Sequence, residues 1–198
     1  MTRTIVCIVE GDGEVRAMPL LLRRLAESAG VYDLDVATPI RVRKDRFIRR
    51  PDEFSRQLKL AAAKAKGGTV LVVLDADDDC PVELASDIAR RAKAIVPHVS
   101  LHAVIAQREY EAWLLAAADS LAGKRGLTTD LQGPGAPDGV RNAKGWLSER
   151  MPSGRYHEVS DQPALTALFD LALARTRSRS FRKLSDTLER IVRGPAPA

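Results

Sequence analysis

Two short runs without a charged residue, residues 4–9 and 69–74, limit what this chain can fold into more than any other feature. Neither alternates apolar with polar side chains. Each therefore reads as a strand covered on both faces, the kind found in parallel sheets flanked by helices. The first run ends in Glu10-Gly11-Asp12-Gly13, after which Val15, Met18, Leu21, Leu22 and Leu25 recur at helical spacing. Residues 31–42 read as a second strand interrupted by Pro39, 52–66 as a helix, 82–96 as an amphipathic helix, 100–106 as a fourth strand and 109–121 as a further helix. This alternation predicts an α/β fold built on a mainly parallel sheet with helices on both faces.

Residues 123–139, rich in Gly, Pro, Asp and Thr, read as a surface loop, and 140–150, 163–175 and 181–192 as helices. The expected organisation is an α/β core over residues 1–121 and a loop with a C-terminal helical extension over 122–198, packed on that core. Residues 194–198 read as a frayed end. A chain of 198 residues, 45% hydrophobic and 29% charged, is long enough to bury one core and too apolar to be disordered. With no apolar run near ~20 residues and no signal-peptide pattern, export and membrane insertion are not expected. Two cysteines, Cys7 and Cys80, support neither a disulfide framework nor a four-cysteine zinc site, which fits a reducing cytoplasm.

The charges are segregated. Six of the ten residues 41–50 are basic (Arg41, Arg43, Lys44, Arg46, Arg49, Arg50), whereas four of the five residues 75–79 are aspartates. Such separation points to one place for a polyanion and another for a cation. The basic run reads as the end of the second strand continuing into a loop beside the sheet edge, suited to phosphate contacts; Arg175, Arg177, Arg179, Arg182 and Lys183 form a second basic region. In an open parallel sheet, ligands bind beyond the carboxyl ends of the strands. Glu10 stands at that end of the first strand, Asp75, Asp77 and Asp78 at that of the third, and Glu109 and Glu111 just after the fourth. Crowded carboxylates repel one another unless something compensates, and a hard divalent cation is the simplest compensation.

The glycines at 11 and 13 also admit a phosphate-cradling turn. However, Arg16 occupies the third glycine position of a dinucleotide fingerprint, and there is no Gly-Lys-Ser/Thr sequence. Glu10, Asp12 and Glu14 would also repel a pyrophosphate. Taken singly, Asp12, Glu14 and Asp79 read equally well as helix caps. The three histidines are scattered and read as incidental; Trp113, Phe181 and Cys7 read as core.

Val9-Glu10-Gly11-x-x-Glu14 and Leu74-Asp75-Ala76-Asp77-Asp78-Asp79 resemble the two signature motifs of the Toprim domain, found in topoisomerases, primases, RecR-type repair proteins and OLD-family nucleases. The continuation through Glu109-Tyr110-Glu111-Ala112-Trp113, Lys144 and Ser178-x-Ser180-Phe181 resembles a bacterial family of small standalone Toprim-like proteins. The resemblance implies a Toprim/Rossmann-like fold. It also implies a catalytic and Mg2+- or Mn2+-binding set of Glu10, Glu14, Asp75 and Asp77, with Asp78 as a further ligand and Glu109, Glu111 and Lys144 as an additional site. The implied activity is phosphodiester hydrolysis of nucleic acid, DNA rather than RNA, in company with a separately encoded ATPase. A Toprim-like module that binds nucleic acid or protein without turnover is the alternative. No tyrosine is marked as a topoisomerase nucleophile, and the added elements of a primase are missing.

Overall fold

The computed structural model describes residues 3–194 apart from Ser153, so residues 195–198 of the expected frayed end lie outside the described residues. Four strands, β1 (Arg3–Val9), β2 (Leu34–Arg41), β3 (Thr69–Asp75) and β4 (Ser100–Ala106), form one all-parallel sheet in the order β2-β1-β3-β4. From β1 the chain moves outward through helix α1 (Asp12–Ser28) to β2. It then returns through α2 (Lys44–Arg49) and α3 (Pro51–Ala65) to the other side of β1, and continues through α4 (Pro81–Ile95) to β4. The direction of travel thus reverses between β1 and β3. At such a switch point the returning connections splay apart and leave a crevice at the carboxyl ends of the two strands.

Because side chains alternate across a strand, each charge-free run feeds two layers. Ile5, Cys7, Val9, Leu71 and Val73 face α1 and the C-terminal helices, while Val6, Ile8, Val70, Val72 and Leu74 face α2, α3 and α4. Pro39 lies inside β2. It is tolerated there because β2 is an edge strand, so the missing N–H costs no bond to a further neighbour.

After β4 come α5 (Glu111–Ala116), a 3-10 turn (Ala118–Leu121), the long loop with a second 3-10 turn (Pro137–Gly139), and helices α6 (Ala143–Glu149), α7 (Glu158–Thr166), α8 (Leu171–Arg177) and α9 (Arg179–Arg193). The helix expected over 163–175 is thus two, α7 and α8. The break is fixed by Asp170, whose carboxylate accepts from Leu173 N at 2.9 Å and so caps the start of α8. The extension shares the core of the sheet: Leu165, Phe169, Phe181 and Leu188 join one buried cluster with Ile5, Met18 and Trp113. Trp113 is fully buried, stands edge-on to Phe181 at 5.7 Å, and donates its indole N–H to Ser180 Oγ at 2.9 Å. Among the described residues no helix is long and apolar enough to cross a membrane.

Candidate functional site

At the end of β1 the chain turns through Glu10 and Gly11 into α1. Glu14, in the first turn of that helix, reaches back, and its Oε2 accepts from the backbone N–H groups of Glu10 at 2.9 Å and Gly11 at 3.3 Å. Half of a capping box is thereby built without a Ser or Thr cap, and it fixes the Glu14 carboxylate under the turn. The two glycines serve close approach of backbone, because α7 lies directly on this turn. A Cβ on Gly13 would sit 2.7 Å from the carbonyl oxygen of Glu158 and against Gln162 Oε1, and one on Gly11 would strike Glu158 Oε1. Gly13→Ala is therefore expected to push α7 off α1 and cost about 1–3 kcal/mol of stability, as overpacking does. Urea unfolding of the variant beside the parent measures this.

At the end of β3, Asp75 is followed by a turn in which Asp77 adopts a left-handed conformation, with φ of 52°. Lys44 on α2 holds the turn from below. Its side chain is buried, and Nζ donates to Ala76 O at 3.0 Å, Asp77 Oδ2 at 2.7 Å and Asp79 Oδ2 at 3.1 Å. The segment expected to run as a basic loop is instead the end of β2 followed by helix α2, with Lys44 and Phe47 turned inward three residues apart. Lys44 is thus corrected from a phosphate contact to a buried anchor of the β3–α4 turn, whereas Arg41, Arg43, Arg46, Arg49 and Arg50 stay exposed. Arg41 pairs with Asp12 at 3.1 Å. The second basic region is largely committed internally: Arg175 pairs with Asp186 and Glu189, Arg177 with Asp119, and Arg182 donates to the carbonyls of Arg175 and Thr176.

Between the turns after β1 and β3 lies a cleft of about 710 Å³ lined by Glu10, Glu14, Asp75, Asp77, Glu109 and Lys144, with Glu158 on the α7 side. Asp78 does not line it; its carboxylate turns toward Arg108 and Arg141. Glu111 lies behind the cleft, fully buried. Its Oε1 accepts from Tyr156 OH at 2.8 Å and Gln162 Nε2 at 3.1 Å, while Oε2 and Gln162 Oε1 have no hydrogen-bond partner among the described residues. Lys144 faces this group and pairs with Glu158 at 2.8 Å.

Glu10, Glu14, Asp75, Glu109 and Glu111 hold their protons above the ordinary carboxylate range. Burial pushes Glu14 up to about 7; the two N–H groups it accepts from pull it back only partly, and the Glu111 and Glu10 charges add to the rise. Asp75 is raised well above its usual value by burial and by Glu14 and Glu111, with Lys144 opposing. Burial likewise raises Glu10, Glu109 and Glu111. On Lys144 burial acts against the charge, but Glu111, Glu158 and Asp75 outweigh it and raise its affinity for the proton. The site is thus a set of oxygen donors carrying more negative potential than Lys144 neutralises. Among the described residues, no three Asp, Glu, His or Cys side chains converge closely enough to form a ready-made metal cage.

Glu158, Tyr156, Gln162, Arg108 and Arg141 were not singled out by the sequence. Four of them come from the extension, away from any strand end, and Arg108, just after β4, carries nothing in the local sequence that ties it to Asp78.

The model of one family, Domain of unknown function (DUF4276), matches residues 9–189. No curated protein and no solved structure matches the chain.

Proposed function

The chain belongs to the family Domain of unknown function (DUF4276), and for this member we propose hydrolysis of phosphodiester bonds in nucleic acid, with Mg2+ or Mn2+ held at Glu10, Glu14 and Asp75. The observation that carries this reading is the crowding of these three carboxylates at the switch point of a parallel sheet, with Glu14 raised by burial and by the Glu111 and Glu10 charges, and Asp75 by burial and by the Glu14 and Glu111 charges. The donor set suits a hard cation, being all oxygen, and an open arrangement short of a cage is what magnesium uses when phosphate and water complete its shell. Glu111, with one buried oxygen unpartnered, adds negative potential behind it. When bound, such a cation supplies charge opposite a phosphoryl oxygen and acidifies water.

The chain's own residues do the rest. Glu14 is held rigidly by backbone N–H groups. Lys144 offers a positive charge on the opposite wall for a phosphate oxygen. Glu10, half-buried at the end of β1, lines the same cleft and offers its carboxylate to the cation. DNA is the preferred polymer, a cytoplasmic location belongs to the same proposal, and the separately encoded ATPase implied by the Toprim-like motifs is its proposed partner. Incubating the purified chain with linear, circular and single-stranded DNA and with RNA, in Mg2+, Mn2+ or EDTA, tests the reading: metal-dependent cleavage of one substrate is expected. No cleavage of any of them, with or without an ATPase encoded beside it, would refute it.

A second reading, a module that binds nucleic acid or protein without turnover, is favoured by one observation. Lys44 neutralises Asp77 and Asp79, and two arginines neutralise Asp78, so that part of the acidic run is balanced without a cation.

Either reading places the exposed face of α2 beside the substrate. Replacing Arg46, Arg49 and Arg50 by alanine is expected to weaken binding to all sequences alike and to make the log–log salt dependence shallower by up to about three units on duplex DNA, about 0.9 per lost phosphate contact. An anisotropy titration over a series of salt concentrations measures both. Cleavage at saturating substrate should change little, since these residues position the backbone.

A further inference from the structure

Asp78 is largely exposed, yet its Oδ1 receives two guanidinium groups, Arg108 Nη1 and, at 2.9 Å, Arg141 Nη1. The two arginines come from distant places, Arg108 just after β4 and Arg141 just before α6. Arg108 is the more built-in of the pair: Nη1 also donates to Asp77 O at 2.8 Å, and Nε is buried without a partner among the described residues. Its backbone is left-handed, with φ of 67°, as is that of Asp77, and the two residues are tied by a hydrogen bond from Asp77 N to Arg108 O at 3.0 Å. Non-glycine residues in this conformation persist where their surroundings over-determine them, and they gather at ligand clamps. Asp77, Glu109 and Asn142, the chain neighbours of Asp78, Arg108 and Arg141, line the cleft, so the arrangement stands at its rim.

An exposed carboxylate gains little from a surface ion pair and less from a second one on the same oxygen. Two forked donors aimed at one point match the several oxygens of a phosphate better. We propose that Arg108 and Arg141 form a clamp for a backbone phosphate of the nucleic-acid strand entering the cleft, and that the side chain of Asp78 fills this clamp until the phosphate displaces it. The proposal rests on the nucleic-acid reading above and moves Asp78 from the cation's ligands to the anion's site. The same substitution thus has opposite expected signs: a lost metal ligand weakens substrate engagement, whereas an emptied clamp strengthens it.

The test is binding of labelled single- and double-stranded oligonucleotides in EDTA, where neither metal nor cleavage contributes. Asp78→Asn is expected to tighten binding about two- to fivefold. Arg141→Ala, at an exposed side chain, should weaken it and make the salt slope shallower by about one unit. In the Arg141→Ala background the gain from Asp78→Asn should shrink. Glu149→Gln removes the same charge outside the cleft; an equal gain there would reduce the Asp78 effect to net charge and overturn the clamp. Absence of binding by the parent chain would overturn it too, as would unchanged affinity and slope in Arg141→Ala. Millimolar inorganic phosphate that raises the melting temperature of the parent but not of Arg141→Ala, with oligonucleotide binding unaltered, would assign the pair to free phosphate and overturn the backbone contact. Clamp-dependent binding without cleavage in Mn2+ would refute the hydrolase reading and leave the clamp standing. Cleavage with unchanged binding in every variant would do the reverse.

Discussion

With Asp75 replaced by asparagine, metal-dependent cleavage is expected to fall by ~10³-fold or more while the fold survives. Asparagine keeps the size and shape of the side chain and removes the charge. The cation's contribution to a reacting phosphate is worth several kcal/mol, and each ~1.4 kcal/mol is a factor of ten in rate. The substitution also relieves repulsion among Asp75, Glu14 and Glu111, so the metal-free variant should melt at a higher temperature than the parent above pH 7. Loss of activity together with gain of stability separates a site residue from a structural one, whose removal costs both. A single-turnover cleavage assay and a thermal melt in EDTA supply the two readouts; activity at the parent level would remove Asp75 from the chemistry.

The second large effect is a dependence of stability on pH that runs opposite to ordinary acid denaturation. The Glu14 carboxyl ionises at about 4.5 in the unfolded chain and at about 7 in the folded one, where Asp75 shares the titration. Between these values the folded chain binds a proton that the unfolded chain has released, so stability falls as pH rises. The contribution is complete below pH ~4.5 and gone once the pH passes about 7. At ~1.4 kcal/mol per unit it amounts to about 3 kcal/mol for Glu14, with Asp75 adding in the same direction. In EDTA the protein should therefore melt several degrees lower at pH 8 than at pH 5.5. Millimolar Mg2+ or Mn2+ should restore the difference at pH 8 and do little at pH 5.5, because a cation takes the place the protons leave. Equal melting temperatures across this window, with and without metal, would mean that the carboxylates are not crowded in solution.

The fold was legible because it is written in local periodicities. The charge-free runs at 4–9 and 69–74 are the two central strands, and a strand buried on both faces has no other way to look. The acids that those strands deliver, Glu10 and Asp75, were legible for the same reason: a strand end has a fixed place in the sheet. What local pattern does not carry is which side chain a neighbour from elsewhere has claimed. Lys44 looked like one more member of a basic run, and only the packing of α2 turns it inward onto Asp77 and Asp79. Asp78 looked like part of the acidic run, and its partners stand 30 and 63 residues further along. Glu158 and Gln162 were invisible because their role follows from α7 lying on Gly11 and Gly13, a long-range contact with no periodic signature.

The seating of α7 on the first turn of α1 also fixes when in the life of the chain the cleft comes into being. Glu158 lies 148 positions beyond Glu10, so the wall it forms leaves the ribosome long after the turn it closes on. Closing so long a loop is slow compared with pairing neighbouring strands and helices. A nascent chain that has released β1 to β4 can order its sheet while Lys144, Tyr156, Glu158 and Gln162 are still unsynthesised, and the acids then remain open to water and free to ionise at ordinary pH. The elevated proton affinities, and any chemistry that depends on them, wait until α7 has been made and has settled on α1. An incomplete chain thus carries the motif without the environment that activates it.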